Sequence, residues 1–185
     1  DYSLICVWGI WVYVQTTGDR DLAARLIPVG DRVLAWHEKV VGPSGLIELD
    51  GDKLWKDHKG QLFIDHPGMG WHSRPFGHPG IDRRGFNAAL NFFYIHELDA
   101  QADLLEYMGN KARAVRLRQQ ANGVRQAAER HFYNPAETAY VDGWLDGKQS
   151  TQISQQTNAL AVTSGTCPPD RARKVLTRIL RRPGE

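Results

Sequence analysis

Apolar residues recur at helical spacing in six stretches of this chain, and the stretches fall into pairs. Residues 3–17 are mainly apolar, with Trp8 and Trp11 beside Val7 and Val14, and they stop at Gly18, a residue that closes a helix without strain. Asp19 is placed to cap a second helix, in which Leu22, Leu26, Val29, Val33, Leu34 and Trp36 follow a 3.6-residue period. Pro28 predicts a kink or a restart in it. A third helix is predicted over 84–108, ahead of Gly109, with Phe86, Leu90, Phe93, Tyr94, Leu98 and Leu105 as its core positions. The fourth covers 110–132, charged on one side and carrying Ala112, Val115, Leu117, Ala121, Val124 and Ala128 on the other. Residues 150–164 form the fifth. Pro168 and Pro169 introduce the sixth over 170–182, with Val175, Leu176, Ile179 and Leu180 apolar.

The connections alternate in character. Gly18-Asp19 and Gly109-Asn110 are tight turns, whereas 41–82 and 133–149 are long and rich in turn-formers. Short strands are predicted at 46–49 and 61–64, and a small hairpin around 138–143. Helix pairs closed tightly at one end and elaborately at the other suggest an all-α layered toroid whose elaborate loops gather at one rim, where chemistry is usually hosted. No sequence self-similarity is evident between the pairs. Three helical hairpins would leave such a toroid open.

Composition narrows the class without naming it. With 185 residues, 42% hydrophobic and 24% charged, the chain fits one globular domain and excludes a disordered tail, a collagen-like rod or a disulfide-dense miniprotein. A net charge of +2 implies no polyanion partner, nucleic acid included. The longest apolar run, 4–14, is shorter than the ~20 residues a bilayer-spanning helix needs. Cys6, in an apolar helical run, reads as a buried free thiol, and nothing supports a bond from it to Cys167. Without a start methionine, and with helices at both ends, the chain reads as part of a longer one.

Candidate chemistry concentrates in residues 55–84, which hold Asp57, His58, Asp65, His66, Trp71, His72, Arg74, His78, Asp82, Arg83 and Arg84. Carboxylates that accept hydroxyl hydrogen bonds, beside flat rings that stack on a pyranose, are what a sugar site requires. The plainer reading is a solvated loop with satisfied histidines. A metal site could draw on His58, His66, His72 and His78 with Asp57, Asp65 and Asp82, but no H-E-x-x-H or other tight pair occurs, and no metal or cofactor is expected. His37 and His96 read as packing or surface residues, and Asp99 and Asp103 as a solvated helix face.

Several segments, in order, resemble the bacterial α-L-rhamnosidases. Asp1-Tyr2-Ser3-Leu4 is similar to their PDxSLxW segment and Thr17-Gly18-Asp19-Arg20-Asp21-Leu22 to their TGDxxxL turn. Phe63-Ile64-Asp65-His66-Pro67 falls where the family commonly has Phe-Ile-Asp-Trp. Gly80-Ile81-Asp82-Arg83-Arg84-Gly85 with Asn87-Ala88-Ala89-Leu90-Asn91 also fits. So do Phe132-Tyr133-Asn134-Pro135 with Tyr140-Val141-Asp142-Gly143, and Ser154-Gln155-Gln156-Thr157-Asn158-Ala159-Leu160. Together these segments cover essentially the whole chain.

The resemblance implies an (α/α)6 six-hairpin barrel, of which residues 1–185 are a partial domain of about three hairpins with short β-hairpins in the rim loops. It also implies an inverting glycosidase, with a general acid and a general base on opposite sides of the sugar and water between. The family's acid lies in an Asp-x-x-x-Arg-x-Glu motif upstream, and its base is a Glu beside a Trp downstream. Neither occurs here, so no catalytic residue is expected within these residues, and the rest of the barrel is an implied partner. Asp65 and His66 fall at the pair that lines the rhamnose pocket. His66 in place of Trp loses stacking area, which Trp71 could restore. Asp82 either touches substrate or caps the following helix. A barrel glycosidase for another sugar, or a non-catalytic carbohydrate-binding or scaffold unit, are the alternatives; no membrane association is implied.

Overall fold

The structure, a computed structural model, describes residues 2–50 and 85–180. It is mostly helical among these residues: α1 (Tyr2–Thr17), α2 (Arg20–Glu38), α3 (Ala88–Tyr107), α4 (Lys111–Phe132), α5 (Gln155–Thr163) and α6 (Pro169–Leu180). Five short strands, β1 (Phe86–Asn87), β2 (Tyr133–Asn134), β3 (Ala139–Tyr140), β4 (Gly143–Leu145) and β5 (Lys148–Gln149), occupy the connections. The predicted strand at 61–64 lies outside the described residues.

The helices form three hairpins in two layers. α1, α3 and α5 are neighbours in one layer, and α2, α4 and α6 each pack on the partner that precedes them. The all-α architecture of paired helices therefore holds. α3 is the centre, touching α1, α2, α4 and α5, and it is buried nearly all round, which is why its sequence is apolar on several faces. The main core places Phe92 edge-on to both Phe132 (6.1 Å) and Tyr140 (5.6 Å), with Leu4, Leu34, Leu90, Ile95 and Leu98 around them. Each such side chain contributes roughly 1.5–3 kcal/mol on burial.

Local signals explain most boundaries. The Asp19 Oδ1 accepts from the Leu22 N–H at 2.9 Å as the cap of α2, and Gly18 and Gly109 close the preceding helices at φ 70° and 87°. Pro28 does not interrupt α2. Pro28 and Ala24 are both exposed, so water can serve the carbonyl that the missing N–H leaves free. α3 starts later than predicted because Gly85 is left-handed and Phe86–Asn87 is extended. Its cap is Asn87, whose Oδ1 accepts from Leu90 N–H at 2.9 Å; the helix start therefore does not belong to Asp82. α5 likewise starts later than predicted, at Gln155, because Ser154 is extended and serves as its cap while Asp142 holds the Ser154 N–H. The strand expected at 46–49 reduces to one bridge between Val41 and Ile47. Cys6 is exposed rather than buried, and both cysteines are free. The exposed side of α1 also carries Trp8 and Tyr13, each 44% accessible.

Candidate functional site

The described residues on either side of 51–84 meet the second long connection at one rim, as the alternation of tight and elaborate connections predicts. β1, which leads into α3, pairs antiparallel with β4 in the register Phe86 with Trp144 and Asn87 with Gly143. β4 turns through Asp146 (φ 49°) and Gly147 (φ 78°) into β5. Asp-Gly is the preferred pair for such a tight hairpin, a signal the sequence reading passed over. Gly85 is required here: at φ 64° its Cβ would lie 2.1 Å from the Trp144 carbonyl oxygen.

Each inner helix then fixes a loop by the same device. In α3, Asn91 accepts the Ile47 N–H at 2.8 Å and donates Nδ2–H to the Ile47 (3.3 Å) and Asn87 (2.9 Å) carbonyls. In α5, Asn158 accepts the Tyr140 N–H at 2.7 Å and donates to the Tyr140 (2.8 Å) and Ser154 (2.9 Å) carbonyls. Asn91 and Asn158 occupy the same position of their helices, four residues after the cap, and both are fully buried. Ile47 and Tyr140 are each the second arm of a bend that follows an outer helix, paired with Val41 and Tyr133 respectively. The hairpins thus repeat structurally, although their sequences show it only in a single amide.

Asp142 joins the two junctions. Its carbonyl accepts the Ala88 N–H at 2.9 Å, while its Oδ1 accepts the Ser154 N–H (2.9 Å) and Oγ–H (2.7 Å). One residue therefore serves free N–H groups at or next to the start of both inner helices, where an anion is also favoured by the helix dipole. Gln149 adds a strap by donating to the carbonyls of His131 (3.0 Å) and Tyr133 (2.9 Å) at the end of α4.

Beside this junction opens a cleft of about 780 Å³, lined by Asn134, Glu137, Gln149, Ser150, Gln156 and Arg178 over apolar Val141, Ile153 and Ile179. Neutral amides and hydroxyls on an apolar floor suit a polyhydroxylated ligand. At its edge Arg178 and Glu137 pair at 2.8 Å. Neither residue was singled out from the sequence, because isolated amides and one ion pair carry no motif.

The site residues expected from the sequence, Asp65, His66, Trp71 and Asp82, lie outside the described residues, as do His58, His72 and His78. His37 is buried, donating Nδ1–H to the Val33 carbonyl at 2.9 Å, and burial holds its pKa below 6.5. It is a packing residue, as expected. His96 is half-buried and meets the Glu97 carboxylate at 3.2 Å; that hydrogen bond raises its pKa. Glu97 is 1% exposed with Oε2 unpartnered among the described residues, and burial raises its pKa. Asp99 and Asp103 are not a bare solvated face: they pair with Arg125 and Arg118 of α4. No group of three metal-ligating side chains occurs among the described residues, and no described helix is long and apolar enough to cross a membrane.

Solved structures place this arrangement. A GH78 family rhamnosidase of Bacillus sp. GL1 superposes over 98% of this chain with a TM-score of 0.78 at 19% identity. A rhamnosidase from Klebsiella oxytoca, solved with rhamnose bound, covers 99% of it with a TM-score of 0.75 at 23% identity. The chain has their fold. It spans 17% of the length of the first and 30% of the second, so it corresponds to one stretch of each. No family model matches the chain, and no curated protein sequence does. At these identities the likeness lies in the path of the backbone: three hairpins with their elaborate connections at one rim.

Proposed function

We propose that this chain is part of a glycoside hydrolase of the rhamnosidase kind, releasing terminal α-L-rhamnose with inversion at the anomeric carbon. The observation that carries the reading is the superposition on two rhamnosidases over 98% and 99% of the chain, at a rim that also offers an amide- and hydroxyl-lined cleft. The sugar is bound by Asp65, His66, Trp71 and Asp82. Asp65 accepts two sugar hydroxyls, and the flat rings of His66 and Trp71 cover the apolar face of the pyranose. The general acid and general base belong to other parts of the same six-hairpin domain, which also cover the exposed side of α1. Inversion then follows from a water held between the two carboxyl groups. His66, where the resembling enzymes carry Trp, favours a related sugar as the second reading.

The decisive assay uses the protein that contains this chain, with an aryl α-L-rhamnoside and NMR detection of the first anomer released. Hydrolysis giving the inverted anomer, with kcat/KM lowered tenfold to over a hundredfold by Asp65→Asn at unchanged melting temperature, is the expected result. It follows from losing one charge-assisted hydrogen bond of roughly 1.5–3 kcal/mol, since Asn keeps one acceptor oxygen. Residues 1–185 alone should hydrolyse no faster than buffer. A lowered melting temperature with kcat/KM intact would make Asp65 a turn residue, and no turnover of any rhamnoside would overturn the assignment.

A further inference from the structure

The last turn of α2 carries a feature apart from the proposed sugar pocket. Trp36 is 54% exposed, yet its ring is held. His37 packs edge-on to it at 4.8 Å, and the His37 ring stacks in turn on Tyr94 at 6.0 Å. Both supports are themselves fixed, His37 through the Val33 carbonyl and Tyr94 through the Gln120 amide, which donates to its hydroxyl at 2.9 Å. One turn earlier Arg32 projects on the same side, exposed and without an ion-pair partner among the described residues. With Ser3 and Val33 these residues bound a hollow of about 400 Å³.

A rigid exposed indole beside a free guanidinium is a two-part recognition surface. The indole face takes the C–H face of a pyranose, and the planar fork of Arg takes a carboxylate on two parallel hydrogen bonds. Arg25 and Arg32 of α2 and Lys39 just past its end recur every seven residues and are all exposed, so they lie along one side, about 10 Å apart. His37, held neutral by burial, adds no charge. From this geometry we infer that the Trp36–Arg32 shelf binds a uronic acid residue of an acidic glycan, with the Arg25–Lys39 stripe attracting its neighbours. The inference rests on reading the chain as part of a glycan-acting enzyme, and it adds a second binding position on the outer side of the first hairpin.

The test titrates the protein containing this chain with tetragalacturonate and, separately, with neutral maltotetraose, following tryptophan fluorescence at low and high salt. Saturable binding of the acidic tetramer is expected, weakened about tenfold or more by Trp36→Ala and by Arg32→Gln, and weakened by salt. Arg32→Lys should recover part of the loss. Both side chains lie on the surface, and an unchanged melting curve checks that the three variants fold. Equal binding of the neutral tetramer, or wild-type affinity in both variants, overturns the shelf. Rhamnoside hydrolysis run in parallel separates the two readings. Hydrolysis without tetramer binding sinks the shelf alone, whereas binding at Trp36 without hydrolysis sinks the rhamnosidase reading alone.

Discussion

The two rim junctions solve one problem with different amounts of chain. In each, an outer helix ends, the backbone folds back on itself, and a buried asparagine in the next inner helix takes both polar groups of one loop residue. At the second junction Asn158 does this for Tyr140 with bonds of 2.7 and 2.8 Å, and residues 141–153 complete the path with β4, β5 and the Asp142 contacts. At the first, Asn91 holds Ile47 at 2.8 and 3.3 Å, and the connection onward to Asn87 is far longer. The amide is the constant part and the loop is the variable part. A long loop can be carried at the first junction because its two ends are pinned independently, by Asn91 at Ile47 and by β4 at Phe86.

Breaking the constant part should cost most. Asn158→Ala strands the Tyr140 N–H and C=O in a fully buried place, for an expected loss of about 3–5 kcal/mol, read as the urea midpoint shift. Asn91→Ala should cost less, about 2–4 kcal/mol, since one of its bonds is longer. Equal losses, or a larger one at Asn91, would deny the stronger grip assigned to the second junction. Next in size is Gly85→Ala, which forces a left-handed alanine and drives its Cβ against the Trp144 carbonyl. About 2–3 kcal/mol is expected, with NMR shifts in both β1 and β4. Shifts confined to the α3 start would show that the sheet does not couple the junctions.

Asp142→Asn keeps the acceptor oxygen and loses the charge, so about 1–2 kcal/mol is expected, with amide exchange faster at Ser154 than at Asn158. The smallest effect is on pH dependence. His37 stays neutral in the fold below the 6.5 of the free imidazole. The unfolded chain therefore binds more protons as pH falls through 6.5, and stability falls with it. His96, raised by Glu97, contributes in the opposite sense, its share being lost as pH rises. In a His96→Gln background, His37→Gln should flatten the melting temperature between pH 7.5 and 5.5. An undiminished fall would assign the dependence elsewhere.

The helices were legible because a 3.6-residue period and an Asp, Asn or Gly at the ends are sequence-local facts; α1 and α4 match their predicted bounds to within a residue. Starts governed from a distance were not. Asn87 takes the cap of α3 from Asp82 because β4 holds Phe86 in extended form, a pairing no window around residue 84 contains. Pro28 sits inside an unbroken helix because its vacated carbonyl is on the wet side. The repeat between hairpins escaped notice because Asn91 and Asn158 are single residues whose partners, Ile47 and Tyr140, contribute only backbone. The amides of the 780 Å³ cleft come from β2, β5 and α5 and its hydroxyls from the 150–154 connection, and only the fold collects them.

The pairing of Phe86 with Trp144 has a kinetic side. Each helical hairpin closes over a turn of a few residues, so its contacts are local and quick to form. The β1–β4 ladder instead ties together segments separated by the whole of α3 and α4, and its loop-closure entropy is repaid only once that hairpin has already docked. This small sheet should therefore assemble late and open early. The rim would then breathe through sub-global opening while the helices beneath it stay folded.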